Sequence, residues 1–212
     1  MITKLDQQIG EIRAKIKELG LEENTMIIVT SDNGPTYVGG VDYDYFESSA
    51  PFTNGFGRTK GFLYEGGIRV PMLVSWPGKI EKSTSDHISV FYDIFPTLAE
   101  LVGASVPENL DGKSFLPELM GKEQEKHDYL YWEFPETGGQ QAVRMGNWKA
   151  VRQNIVKENN LEIELYDLSK DILEQNNIAA DHPDLIKKFE EIMAKEHETP
   201  VVSTFRMAAL GD

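Results

Sequence analysis

The sequence predicts an α/β chain in two parts: helices and buried strands through its first half, then a small antiparallel sheet packed on a C-terminal helix. Three observations predict it. Residues 26–29 form an unbroken apolar run that follows a helical apolar stripe. Four short strand-like segments occupy residues 129–167, and a second helical stripe follows Pro183. Strands interleaved with helices, then strands covered by one helix, is the pattern that separates this class from a bundle or a β-sandwich.

The elements follow in order. Leu5, Ile9, Ile12, Ile16 and Leu19 recur at four, three, four and three residues, the spacing of one face of a helix, and Gly20 can end it. Residues 26–29 lack polar alternation and are partly β-branched, which predicts a strand buried on both faces, as in a parallel sheet. Residues 70–76 offer a second core strand. A helix in the first residues leaves little chain to flank such strands, so this half reads as the later part of a larger α/β domain. Asp93 suits an N-cap with Pro96 in the first turn, and Ile94, Leu98, Leu101 and Val102 make a core-facing stripe that Gly103 ends. Residues 104–127 are charged and linker-like, giving two regions, 1–105 and 106–212. Beyond, residues 129–134, 140–145, 148–153 and 161–167 read as strands, the middle two joined tightly through Gly146 and Asn147. Pro183 opens the last helix, whose Leu185, Ile186, Phe189, Ile192 and Met193 share a face.

Composition narrows the partners. With 212 residues, 40% of them hydrophobic and 26% charged, the chain has the make-up of an ordinary globular protein with room for a sizeable core. A net charge of -14 argues against a general nucleic-acid or anionic-membrane surface. No run approaches the roughly 18 apolar residues of a membrane span, and the first residues are too polar for a signal peptide. With no cysteine there is neither a disulfide nor a thiolate ligand or nucleophile. The compartment is not legible from the chain itself.

Two places carry candidate chemistry. Asp32, Asn33 and Gly34 close the first apolar run at its carboxyl end, where open α/β sheets gather ligands. Asp-Asn-Gly is turn chemistry; the same two oxygen donors also suit a hard cation such as Ca²⁺ or Mg²⁺. On the residues alone the turn is the favoured reading. Residues 35–57 form a long aperiodic loop, of a length that is often functional. From residue 48 to 80, Arg58, Lys60, Arg69 and Lys79 face a single acid, Glu65, so an anion is more welcome here than anywhere else in this acidic chain. Lys60 is either a point charge for a phosphate or sulfate or a solvated surface lysine; Glu65 and Arg69 are expected to pair with each other.

Taken together, Thr-Ser-Asp-Asn-Gly (30–34), Lys-Gly-Phe-Leu-Tyr-Glu-Gly-Gly-Ile-Arg-Val-Pro (60–71), Phe-Tyr-Asp-Ile-Phe-Pro-Thr-Leu (91–98), Asp-Gly-Lys-Ser-Phe (111–115), Gly-Asn-Trp-Lys (146–149) and Glu-Leu-Tyr-Asp-Leu (164–168) resemble the sulfatase family of the alkaline phosphatase superfamily across nearly the whole chain. The resemblance implies a sulfatase-like C-terminal half: the end of the α/β core, then a C-terminal subdomain. It implies Asp32 and Asn33 as ligands to Ca²⁺ (or Mg²⁺) and Lys60 as the catalytic, sulfate-contacting lysine, while Glu65, Gly66, Gly67 and Arg69 shape the site. It implies hydrolysis of an aryl or carbohydrate sulfate, a periplasmic or secreted location, and no nucleic-acid or membrane partner.

The family's Cys/Ser-x-Pro-x-Arg motif, oxidised to formylglycine, is not matched here. Ser49-Ala50-Pro51-Phe52-Thr53 comes near, but with Thr in place of Arg and on the wrong side of Asp32. The nucleophile and the other metal ligands are therefore expected in an N-terminal half that the chain needs, and the 212 residues alone are expected to be inactive. A non-catalytic binding module and a phosphoester or phosphonate hydrolase of the same superfamily are the alternatives. His87, His127, His182 and His197 receive no role, and Trp132, Glu133 and the Gly138-Gly139 turn are read first as a packed hairpin.

Overall fold

The structure, a computed structural model, describes residues 2–212. The chain divides into two compact units, Met1–Thr30 with Pro71–His127, and Ser31–Val70 with Asp128–Asp212. This division interleaves the expected regions 1–105 and 106–212. The cause is apolar burial: Phe62, Leu63 and Tyr64 share one core cluster with Ala142, Val151, Tyr166 and Leu168, which ties the middle of the chain to the later sheet. Helices accompany antiparallel sheets in the α/β chain, and no helix among the described residues is long and apolar enough to cross a membrane.

In the first unit α1 (Ile2–Glu18) forms as its stripe predicts and stops at Gly20, which sits at φ +70°. Its apolar face is nevertheless open: none of its described residues is buried, and Leu5, Ile12 and Leu19 are each 57% exposed. The 26–29 run becomes β1 (Ile27–Thr30), paired antiparallel with β2 (Met72–Ser75) from Ile27 opposite Ser75 to Thr30 opposite Met72. The expected parallel, doubly covered strand is thus corrected. An apolar run shows that a strand tolerates burial, not that other chain covers it, and β1 is only half-buried. The Trp76 Nε1 donor meets Glu23 O at 2.8 Å and fixes the end of the pair.

Helix α2 (Ile94–Val102) ends at Gly103, φ +69°. Asp93 precedes it but does not cap it with its side chain; the buried carboxylate accepts instead from Val90 N, Lys113 N and His127 Nε2, at 2.9, 2.8 and 2.8 Å. The buried residues of α2 are Pro96, Thr97 and Ala99, whereas Leu98 and Val102 of the expected core stripe are exposed. Thr97 Oγ1 donates to Asp93 O at 2.7 Å and accepts from Phe115 N at 2.9 Å, so this knot rather than the aliphatic stripe sets which way the helix faces.

The second unit is built on a four-stranded antiparallel meander, β3 (Leu130–Phe134), β4 (Gln140–Met145), β5 (Trp148–Arg152) and β6 (Glu164–Asp167), in that spatial order. Its strands fall within three residues of their predicted bounds, because turn residues such as Gly138-Gly139 and Gly146-Asn147 bracket the central pair. Helix α3 (Pro183–Glu196) lays Phe189, Ile192 and Met193 on one face, against Val143, Ala150 and Leu165. Residues 62–64 cover the other face. Burying each such side chain contributes about 1.5–3 kcal/mol, so this doubly covered sheet is the rigid base on which residues 31–70 rest.

Candidate functional site

The residues singled out by sequence lie in the second unit, on two loop segments stitched together. Asp32 is exposed, and its Oδ1 accepts the N–H of Asn33 at 3.0 Å. Asn33 Nδ2 donates to Gly34 O at 2.9 Å, and Ser31 Oγ to Asn33 O at 2.9 Å. These local bonds are the turn that Asp-Asn-Gly predicts. Gly34 is buried and donates its N–H to Gly67 O at 2.8 Å. A Cβ at Gly34 would lie 1.8 Å from Gly66 O, so only glycine lets the loop settle onto the helical turn Glu65–Ile68. A second stitch follows, Lys60 N to Pro35 O at 3.1 Å. Asp32, Asn33 and Lys60 therefore belong to adjoining backbone segments.

The four basic residues separate on inspection. Arg58 lies over the Tyr64 ring, 3.9 Å from its centroid, and donates to Glu174 O at 2.9 Å. Arg69 pairs with Glu65 at 3.3 Å, as expected. Lys79 falls in the first unit. Lys60 is exposed, and its amine makes no hydrogen bond or ion pair with the described residues. It is the cation of this segment left available to an anion.

Beneath the Glu65–Ile68 turn lies a buried charge cluster that sequence reading missed. Lys149, 0% exposed, meets Glu65 Oε1 at 2.9 Å and Glu174 Oε1 at 3.0 Å. The contact to Glu174 is an ion pair without hydrogen-bond alignment. Glu174 Oε2 accepts the Glu65 N–H at 2.7 Å, and Arg144 stands 3.5 Å from Glu65. Burial pushes the Glu65 carboxyl up, but Lys149, Arg144 and Arg69 outweigh it and hold the group below the usual carboxylate range. Glu174, with fewer cations, is pushed up by burial. The signal available in sequence was Lys149 itself, a charge between Trp148 and Ala150 in a strand otherwise built for the core.

Three of the four histidines are held by neighbours within their own unit. His127 pairs with buried Asp93 at 2.8 Å in the first unit. His182 meets the Trp148 ring edge-on, with centroids 5.1 Å apart. His197 sits between Glu133 and Asp212, 2.9 Å from each. Ser49 is buried, and its hydroxyl faces Phe52 O, Thr53 O and Asn54 Oδ1, at 3.1 Å from the last.

As a metal site, the Asp32–Asn33 pair fits in kind. Both offer hard oxygen atoms at an exposed loop, and Asp32 Oδ2 makes no hydrogen bond or ion pair with the described residues. In number it is incomplete, since Ca²⁺ takes roughly 6–8 oxygens and no cluster of three His, Cys, Asp or Glu is placed to hold an ion among the described residues.

Against known families, residues 56–199 match the model "N-sulphoglucosamine sulphohydrolase, C-terminal", and residues 1–104 match "Sulfatase". N-acetylgalactosamine-6-O-sulfatase of Bacteroides thetaiotaomicron is 32% identical over 211 residues, covering 91% of this chain and 40% of that protein. Human arylsulfatase A is 37% identical over 154 residues, covering 70% of this chain and 29% of its own length. The solved structure of Ps i-CgsB in complex with k-i-k-neocarrahexaose superposes with a TM-score of 0.75 at 29% identity, over 92% of this chain and 41% of that one. The chain thus spans well under half the length of the relatives it matches.

Proposed function

Since the chain belongs to the sulfatase family, we propose that it supplies the cation-binding and sulfate-contacting loops of a sulfuric ester hydrolase acting on a carbohydrate or aryl sulfate. The observation that supports this most directly is the double stitch, Gly34 N to Gly67 O at 2.8 Å and Lys60 N to Pro35 O at 3.1 Å. It joins the backbone of Lys60, whose amine has no partner among the described residues, to the loop that carries Asp32 and Asn33.

In this reading the Lys60 ammonium binds an oxygen of the sulfate group and stabilises the negative charge that builds there as the ester bond breaks. Asp32 and Asn33 would hold Ca²⁺ or Mg²⁺ through their side-chain oxygens. When bound, that ion supplies further neutralisation of the sulfate. Ser49, turned into its own loop, takes no part, and the attacking nucleophile comes from a segment this sequence does not contain. A carbohydrate sulfate is favoured because a relative is named for N-acetylgalactosamine-6-O-sulfate and a structural neighbour is complexed with a carrahexaose.

Titrating sodium sulfate into the isotope-labelled chain tests the binding half of the proposal. The backbone amides around Lys60 are expected to shift, and Lys60→Ala to weaken the sulfate affinity read from that response. The chemical half is tested with p-nitrophenyl sulfate: the 212-residue chain should not turn it over, and hydrolysis by this chain alone would overturn the assignment of the nucleophile elsewhere.

A further inference from the structure

Gln140 is the first residue of β4, and its side chain is wholly buried, 0% exposed. Burying a primary amide is unfavourable unless its donors and acceptors are matched. Here both ends of the amide are partnered, two of its three hydrogen bonds reaching one short segment. Nε2 donates to Gly61 O at 2.8 Å, and Oε1 accepts from Leu63 N at 3.1 Å and from Gln153 Nε2 at 3.3 Å. Two donors on one end and a carbonyl on the other fix which way round the amide lies.

The segment so gripped begins one residue after Lys60. On its other side Lys60 is held by its own N–H on Pro35 O, 3.1 Å away. Gly61 between these anchors sits at φ +88°, a conformation that lets the chain turn sharply after Lys60. A lysine ammonium hangs on four rotatable bonds, so only its backbone can fix where it starts and which way it leaves. Clamping that backbone is preorganisation, the condition under which a point charge favours one bound geometry.

We infer that Gln140 is a positioning residue for Lys60: its amide, anchored in the sheet, fixes the 61–63 backbone and so aims the lysine beside the Asp32–Asn33 loop. The inference rests on the reading of Lys60 as the sulfate-contacting group. Gln140 itself touches no substrate.

A double-mutant cycle on the 212-residue chain tests it, with inorganic sulfate as the probe and amide shifts at residues 60–63 as the readout. Gln140→Met keeps the bulk and removes the hydrogen bonds; sulfate should bind about tenfold more weakly, the scale on which losing a preorganising hydrogen bond acts. In a Lys60→Ala background the same change should leave the residual affinity within about twofold, because contributions that pass through one group do not add. Gln140→Glu is the second variant, of the same shape but with an oxygen turned on Gly61 O. It should lower affinity in the same direction, and melting curves identify variants that are folded at the titration temperature. If Gln140→Met weakens binding equally in both backgrounds, or in neither, Gln140 is a structural residue only and the inference is overturned. If Lys60→Ala leaves sulfate affinity unchanged, the reading of Lys60 falls first and takes the inference with it.

Discussion

The four-stranded sheet β3–β6 and the two-stranded pair β1–β2 differ in what covers them. In the sheet, Ala142, Val143, Ala150, Val151 and Leu165 are wholly buried, between residues 62–64 on one face and α3 on the other. In the pair, Leu73 is 63% exposed and no residue of β1 is fully buried. The long helices repeat the contrast: α3 buries Phe189, Ile192 and Met193, while no described residue of α1 is buried. Apolar periodicity identifies a face; whether that face becomes core depends on which segments return to it. The covered sheet can also bury charge, because Lys149 has two carboxylates within ion-pair distance.

The contrast breaks most severely if that charge is removed. Lys149→Met leaves Glu65 and Glu174 buried together without their shared cation, and breaking a buried pair this way costs about 3–5 kcal/mol. Urea denaturation should show it as a large fall in midpoint, and an unchanged midpoint would mean the cluster is hydrated. Phe189→Ala opens a cavity where α3 meets the sheet and should cost about 3–4 kcal/mol, measured the same way. Gly34→Ala comes next. Its Cβ would press on Gly66 O, and overpacking of this kind costs about 1–3 kcal/mol; the amide signals of Gly67 and Lys60 should move together, since both stitches shift.

Much of this unit was legible in the sequence because its strands obey local rules. Gln140–Met145 and Trp148–Arg152 are short strand-like segments joined through Gly146 and Asn147, and the pairing follows from the turn. Gly103 and Gly20 announce their helix ends through the left-handed conformations they adopt. Asp32, Asn33 and Lys60 were legible as residue types, and their adjacency was not, since it depends on Gly34 meeting Gly66 and Gly67 across more than thirty residues of chain. Gln140 and Glu174 carried no local signal at all. Their roles arise from partners 79 and 109 positions away in Gly61 and Glu65. Asp93 misled for the opposite reason: it stands where a cap belongs, but its carboxylate is claimed by Val90 N just upstream and by two distant partners, Lys113 N and His127 Nε2.

A smaller effect follows from His197. Burial lowers its pKa, but the hydrogen bonds to Glu133 and Asp212 outweigh burial and raise it above the ordinary imidazole value. A folded-state pKa above the unfolded one means that the stabilisation is fully present below about pH 6.5 and is lost as pH rises through the raised value. The melting temperature should therefore drift down over that alkaline-going window, and His197→Gln should flatten the drift. A drift of equal size in the variant would assign it to other groups.

The smallest expected effect is the sharpest control on the comparison. Ile12 lies mid-stripe on α1 with 57% of its surface exposed, so Ile12→Ala removes little buried area. Alanine is also the better helix former by a few tenths of a kcal/mol, which offsets what is lost. The net change in unfolding free energy should stay within about 0.5 kcal/mol, against the several expected for Phe189→Ala on an equally periodic stripe. Two helices that each carry an apolar stripe would then respond to truncation to alanine by amounts differing severalfold. A loss above about 1 kcal/mol at Ile12 would show that other chain covers the α1 face in solution, and the contrast between the two units would disappear at that point.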